Sequence, residues 1–301
     1  MKYLIIGAGG VGGSIASFLA LAGKEVSCIA RGAHLKAIQE KGIHLLSGLK
    51  GEHYVPVKSC TGEEYKDKAD VIFVCVKGYS IDSIKDIILR AAHKDTLVIP
   101  ILNVYGTGPR IQQLVPEVMV LDGCIYIVGF VSAPGEITQM GTIFRMVFGA
   151  RKEQDVPREK LEAIQADLVE AGIKAPISDD INRDTFVKWS FISAMACTGA
   201  YYDASMGMLQ KQGKERNTFI GLSRESAEIG KSLGITFNED VVAYNLKVLD
   251  TLAPASTASL QKDLAKHHES EINGLLFNVI KQAEELGIEV PNYQAIATKF
   301  K

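Results

Sequence analysis

Short, unbroken apolar runs alternate with helix-patterned stretches through the first half of the chain. The clearest runs are YLIIG (3–7), EVSCIA (25–30), VIFVCV (71–76) and TLVIPIL (96–102). They lack polar alternation, are rich in β-branched residues, and lie between helical patterns at 11–22, 33–41, 80–92 and 155–171. A strand covered on both faces reads this way, so the pattern predicts a parallel sheet with helices on both sides. Further strands are predicted at 118–131, 142–149 and 173–178. The intervals between these are too short for helical crossovers, so they are expected to pair antiparallel at an edge of the sheet. From Asp179 onward strand signals vanish. Helical patterns cover 179–198, 214–233, 238–252, 258–287 and 292–299, with Gly234, Pro254 and Gly287 where helices should stop. The expectation is an α/β protein: a doubly wound, mostly parallel sheet over residues 1–178 and an all-helical domain over 179–301. No repeat or low-complexity linker separates them, so the two are expected to pack closely with a cleft between.

The first run breaks into GAGGVGG, which puts Gly7, Gly9 and Gly12 in G-x-G-x-x-G spacing between a strand and a helix. The first glycine permits a tight turn, the second lets backbone approach a pyrophosphate, and the third allows close strand–helix packing. The helix N-terminus then offers its unpaired N–H groups, here from the turn that includes Gly10 and Val11, to phosphate. A Rossmann-type dinucleotide site follows; the alternative is a glycine-rich turn in an ordinary βα unit. The second strand ends Ala30-Arg31-Gly32, with no carboxylate until Glu40. An acidic residue there would bond the adenosine ribose hydroxyls, whereas a guanidinium forks onto a 2′-phosphate. Arg31 therefore points to NADP rather than NAD. His34 and Lys36 are candidates for the same positive patch, or are solvated.

Composition narrows the partners. The chain has 301 residues, 47% of them hydrophobic, and a formal net charge of −2, which gives no electrostatic reason to invoke nucleic acid or an anionic membrane. No apolar run reaches the length of a membrane span, and the first strand begins at the N-terminus, where a signal peptide would lie. The five cysteines (28, 60, 75, 124 and 197) form no C-x-x-C pair. They fit small apolar roles in a reducing, cytoplasmic setting. No cluster has metal-ligand spacing, and His267 and His268 would point to different faces of a helix. The apolar stripes of the C-terminal helices suit either a homodimer face or an ordinary core.

Taken in order along the chain, several of these residues make it resemble the ketopantoate reductases (2-dehydropantoate 2-reductases) and related small NADPH-dependent reductases. The resemblance rests on GAGGVGG, on ARGAHL with Lys36 and Gly42, and on Val76-Lys77. It continues through ILNVYG (101–106), Pro134-Gly135-Glu136, Lys188, SLQKD (259–263) and Glu271. It implies a Rossmann domain followed by a helical domain, with NADPH as cofactor and a small 2-keto acid as substrate bound between the two. Ketopantoate reduction would place the protein in pantothenate and coenzyme A synthesis.

The resemblance also implies roles. Lys77 would meet cofactor phosphate or ribose, or a substrate carboxylate; Asn103 would serve the nicotinamide side of the cofactor or the reacting groups. Both follow the C-terminal end of a strand, where doubly wound sheets bind ligands. Lys188 would be the general acid: reducing a ketone leaves negative charge on oxygen, and a desolvated lysine with a lowered pKa both stabilises and protonates it. Ser259 would hold the substrate carboxylate and Glu271 a substrate hydroxyl or the lysine. Without the resemblance, Ser259 and Glu271 read as solvated positions on an amphipathic helix.

Two departures bear on substrate. The family carries asparagines one and two turns after the lysine, where this chain has Ile192 and Ala196. Ser193 replaces them in part, although it points about 100° away on the helix. A lost hydrogen bond in a buried site costs about 1–3 kcal/mol, enough to redirect specificity. Four readings remain open: ketopantoate reduction, reduction of another 2-keto acid, a non-catalytic NADPH-binding sensor, and a dehydrogenase of a bulkier phosphorylated sugar acid. The last would need cations beyond the candidates Lys262 and Lys266.

Overall fold

The computed structural model describes residues 1–300. It divides into two compact units, Met1–Leu102 with Gly106–Ile181, and Asn103–Tyr105 with Asn182–Lys301.

The first unit is built on a six-stranded parallel sheet. Its strands are β1 (Lys2–Ile6), β2 (Glu25–Ile29), β5 (Lys58–Cys60), β6 (Val71–Val74), β7 (Leu97–Pro100) and β8 (Met119–Val120), in the order β5-β2-β1-β6-β7-β8. Numbered within this sheet alone, that order is 3-2-1-4-5-6, the doubly wound arrangement with its switch point between β1 and β6. Strand alternation sorts the buried residues into two cores. Tyr3, Ile5, Cys28 and Phe73 face one side with Phe18 of α1 (Gly10–Leu21). Leu4, Ile6, Ile72 and Val74 face the other, with Ile88 and Ala91 of α3 (Lys85–Ala91). The remaining helices of this unit are α2 (Gly32–Lys41), α4 (Thr107–Leu114) and α5 (Arg158–Glu170). Sequence patterning misses α4, because Pro109 reads as a breaker; in a helix's first turn a proline forfeits no intrahelical bond.

Beyond β8, which opens the predicted 118–131 run, the later strands do not extend this sheet. β9 (Asp122–Ala133) and β10 (Glu136–Gly149) pair antiparallel as a long hairpin, and β10 pairs parallel with β3 (Ile43–Ser47), which pairs with β4 (Gly51–Val55). Together they form a second, four-stranded sheet in the order β4-β3-β10-β9. The expected edge pairing is therefore corrected to a separate sheet, and strands 43–60 are additions. Between the two sheets lies α1, which explains its burial from Gly12 through Leu19 without an exposed polar face. Residues 173–178 bond to β10 only at isolated bridges, Arg145 with Lys174 and Phe148 with Ile177. Pro176 has no N–H to continue a ladder there.

The second unit is helical, with α6 (Ile181–Tyr202), α7 (Met206–Leu209), α8 (Lys214–Ser232), α9 (Val241–Thr251), α10 (Ser259–Ala265), α11 (Asn278–Glu285) and α12 (Pro291–Ala297). Its core gathers Phe186, Trp189, Cys197, Phe219, Leu249, Leu276 and Tyr293. The single helix expected over 258–287 is broken in two. α10 stops at Ala265, His267 adopts a left-handed conformation at φ +53°, and the chain resumes through a π-turn at Asn273–Phe277. Gly274 belongs to that turn: a β-carbon there would lie 2.7 Å from a Val104 methyl. His267 and His268 therefore lie in a turn, not on the faces of a helix.

Candidate active site

In the first unit the candidate pyrophosphate surface is made of backbone. β1 ends at Ile6, and Gly7 turns at φ +100°, where a β-carbon would lie 3.0 Å from the Cys75 carbonyl at the end of β6. The N–H groups of Gly7 and Ala8 both reach the Ile29 carbonyl of β2, at 3.2 Å. A β-carbon on Gly12 would lie 2.0 Å from the Gly7 carbonyl oxygen, so the strand–helix contact tolerates no side chain. One on Gly10 would lie 2.2 Å from the Gly129 carbonyl oxygen of β9. Gly9 differs, since a β-carbon there meets nothing within 4 Å. It caps α1 with no side-chain hydrogen bond, and no acidic residue occupies the first turn. Open space before an uncapped helix start, with the N–H groups of Gly10, Val11 and Gly12 at its mouth, fits the pyrophosphate of a dinucleotide.

Arg31 is exposed at the N-cap of α2, just beyond the end of β2, and has no ion pair among the described residues. His34 is corrected from the positive patch. Its Nδ1 accepts the Gly135 N–H at 2.9 Å, so Nε2 carries the hydrogen and donates to the Ala8 carbonyl at 2.8 Å. A neutral ring thus ties the glycine-rich loop to the β9–β10 turn. Lys36 is exposed. Lys77 is half-buried just past the end of β6, capping a 3₁₀ turn at Gly78–Ile84.

In the second unit the surface is made of side chains. Lys188 lies on α6 at 5% exposure, flanked by the buried Phe186, Trp189 and Phe191. Its Nζ donates to Asn103 Oδ1 at 2.5 Å. Asn103 begins the short segment counted with this unit, and the next aromatic along, Tyr105, packs its ring edge-on against Phe186 at 5.0 Å and bonds Asn182. Lys188 and Asn103, 85 residues apart, are therefore in direct contact. Glu271, 7% exposed, lies in the turn entering the π-turn, where its carbonyl accepts the Leu275 N–H at 3.0 Å. Ser259 is exposed as the first residue of α10, so it and Glu271 do not share a helix.

The structure encloses Ser193 completely. Its hydroxyl donates to the Leu275 carbonyl at 2.7 Å and pairs with the Tyr293 hydroxyl at 2.7 Å. Both of these hydrogen bonds are made within the protein. Ile192 is half-buried and Ala196 almost fully buried on the same helix. Burial lifts the Cys197 thiol to about 12 and raises Tyr293 well above the ordinary phenol value, so neither ionises near neutrality. Sequence reasoning misses Tyr293, Ser226 and the π-turn, because nothing local marks a tyrosine or serine as the partner of a distant hydroxyl. Among the described residues there is no His, Cys, Asp and Glu grouping suited to a metal ion and no helix long and apolar enough to cross a membrane.

Known proteins share this plan. A family model described as ketopantoate reductase PanE/ApbA matches residues 3–153, and its C-terminal counterpart matches 180–301. A 2-dehydropantoate 2-reductase of Mesorhizobium japonicum is 29% identical over 95% of this chain and 91% of its own length. An uncharacterised oxidoreductase, YkpB, of Bacillus subtilis is 25% identical over 98% of this chain and 96% of its own. Among solved structures, a D-mandelate dehydrogenase in ternary complex with NADH and anilino(oxo)acetate superposes with a TM-score of 0.90. It is 22% identical, over 98% of this chain and 96% of that one.

Proposed function

The chain belongs to the ketopantoate reductase family, and from that premise we propose that it reduces the keto group of a 2-keto acid with NADPH, 2-dehydropantoate being the first candidate. One observation carries the reading: a lysine held at 5% exposure, bonded to an asparagine that follows a strand of the nucleotide-binding sheet.

The bound nicotinamide would supply hydride to the keto carbon. Every other task falls to this chain. Gly9, Gly10, Val11 and Gly12 would hold the pyrophosphate through backbone N–H groups, and Arg31 would fork onto the 2′-phosphate. Lys77 adds a cation at the C-terminal edge of the sheet for phosphate, ribose or a substrate carboxylate. As negative charge collects on the keto oxygen, Lys188 stabilises it and then gives up a proton from Nζ. Asn103 has no charge to offer. Its contribution is to fix the direction of Nζ and so reduce the freedom lost on reaching the transition state. Glu271 would orient the lysine or a substrate hydroxyl, and exposed Ser259 would bond the substrate carboxylate.

Ile192 and Ala196 favour a second reading of the same chemistry. They present hydrocarbon where hydrogen-bonding side chains would recognise a substrate hydroxyl. A 2-keto acid with an apolar substituent suits them better, by roughly 1–3 kcal/mol per missing contact. The test is NADPH oxidation by the purified protein over a panel of 2-keto acids headed by 2-dehydropantoate and extended to branched and aromatic side chains. Turnover that favours 2-dehydropantoate supports the first reading, and turnover that favours apolar side chains supports the second. NADPH binding with no turnover on any member would instead mark a sensor.

A further inference from the structure

The core of the helical unit contains a polar chain that the proposed chemistry does not itself use. It starts at Glu225 of α8, whose buried carboxylate accepts the N–H of Asn292 at 2.7 Å, its side-chain amide at 2.6 Å and the N–H of Tyr293 at 3.0 Å. These contacts satisfy the start of α12 and place a negative charge where the helix dipole favours it. The ring of Tyr293 then crosses the core to two hydroxyls, Ser226 at 2.9 Å and Ser193 at 2.7 Å. Ser193 completes the chain by donating to the Leu275 carbonyl inside the π-turn, where Cys197 also reaches it at 3.3 Å.

Each end of the Leu275 residue is thereby fixed. Its N–H holds the Glu271 carbonyl at 3.0 Å, and its C=O is held by Ser193. Ser193 is on the same helix as Lys188, five positions on. A continuous path therefore runs from the lysine's helix, through one hydroxyl and the backbone of one residue, Leu275, to the backbone of Glu271. The turn keeps the i to i−4 bond from Leu275 to Glu271 but closes with an i to i−5 bond from the Asn278 N–H to the Asn273 carbonyl. It departs from the regular ladder and needs outside support, and such turns concentrate at functional sites. Here the support comes from hydroxyls at zero exposure, where an unmade hydrogen bond is costly and the bonded arrangement is correspondingly rigid.

We propose that Ser193 and Tyr293 are positioning residues: through the Leu275 peptide they set the Glu271 turn against the helix that carries Lys188. The inference rests on the reductase reading given above. It predicts that removing one hydroxyl, without changing the volume of the core, loosens the turn and slows the chemical step while ligand binding survives.

The experiment compares the full-length wild type, Tyr293→Phe, Ser193→Ala and Ser193→Thr, with circular dichroism and melting temperature as controls for folding. Three readouts are taken: NADPH affinity, kcat and KM on the best 2-keto acid of the panel with the pH profile of kcat, and amide hydrogen exchange over 271–277. In Ser193→Ala, kcat should fall about 10- to 100-fold, the scale of a misplaced catalytic group. KM and NADPH affinity should change less than about threefold, and exchange over 271–277 should rise. Tyr293→Phe should show the same pattern more weakly, the pH profile of kcat should shift in both, and the hydroxyl of Ser193→Thr should recover most of the rate. A lower melting temperature with unchanged kcat, pH profile and exchange would overturn the proposal and leave the hydroxyls a purely structural role. Absence of wild-type turnover would overturn the reductase reading and this inference with it. Normal wild-type turnover with unaffected variants would overturn the inference alone.

Discussion

The two units place their chemistry by opposite means. In the first, the candidate pyrophosphate surface is peptide backbone, and at its closest contacts side chains are excluded by distance: at Gly12 a β-carbon would sit 2.0 Å from the Gly7 carbonyl oxygen. In the second, the groups are side chains from distant parts of the sequence, such as Lys188 and Asn103, held together by a packed core. A backbone site is fixed by local geometry and breaks when a side chain is added at its close contacts, as at Gly10 or Gly12. A side-chain site is fixed by tertiary contacts and breaks when one partner is removed. This asymmetry predicts what each kind of mutation should do.

The largest effect is expected at the backbone site. Gly12→Val must push the α1 start away from the Gly7 turn, so NADPH affinity should drop by ~100-fold or more, equivalent to ~2.7 kcal/mol. Fluorescence titration of NADPH measures it, with the melting temperature as control. Retention of tight binding would show that the glycine turn is not the cofactor floor. Arg31→Ala is next. Losing a charge-assisted contact of ~1.5–3 kcal/mol should weaken NADPH about 10- to 100-fold and leave NADH nearly unchanged. Parallel titrations with the two cofactors decide it, and equal losses for both would remove Arg31 from 2′-phosphate recognition.

A stability comparison follows. Arg151 donates to Asp122 at 2.5 Å in the first unit, and both side chains are largely buried. Burial pushes the Asp122 carboxyl above its ordinary value even though Arg151 and the Gly108 N–H oppose the shift. Arg151→Met leaves that carboxylate without its charge partner, and should destabilise the first unit by about 3 kcal/mol in urea unfolding. In the second unit Arg216 pairs with the half-exposed Asp250, and the Arg216 hydrogen bond holds that carboxyl below its ordinary value. A carboxyl depressed in the folded state stabilises it above the unfolded value and loses that contribution as pH falls through the folded one. Asp250→Asn should therefore lower stability by no more than about 1 kcal/mol at pH 7, the scale of an exposed pair. The difference should shrink as pH falls below the ordinary carboxylate range and through the lowered folded value. A deficit that persists in acid would mean the effect is not electrostatic.

The same asymmetry governs how much of the molecule its sequence makes legible. The Rossmann sheet and its glycine turn read directly, because G-x-G-x-x-G states a local geometry and β1, β6 and β7 are uninterrupted buried runs. Strands β3 and β4 escape because they are half exposed and joined by a short turn, so their apolar pattern is thin. The break between α10 and α11 escapes for a different reason. His267 in a left-handed conformation and the π-turn are stable only against partners from other helices and Val104. Lys188 is noticeable as a cation among aromatics, whereas Ser193 reads in sequence only as a substrate contact, because its two partners lie 82 and 100 residues away. His34 shows the reverse error, since a residue that suggests positive charge in sequence is a neutral strut between Ala8 and Gly135.

The most direct test of the account is the rate of NADPH oxidation by Lys188→Ala beside the wild type, on the 2-keto acid the wild type prefers, with NADPH affinity measured on both. The account predicts a loss of about 10²- to 10⁴-fold in kcat, the scale of a deleted general acid, with NADPH binding intact. A variant that oxidises NADPH at close to the wild-type rate would contradict it, and would move the proton donor to another residue.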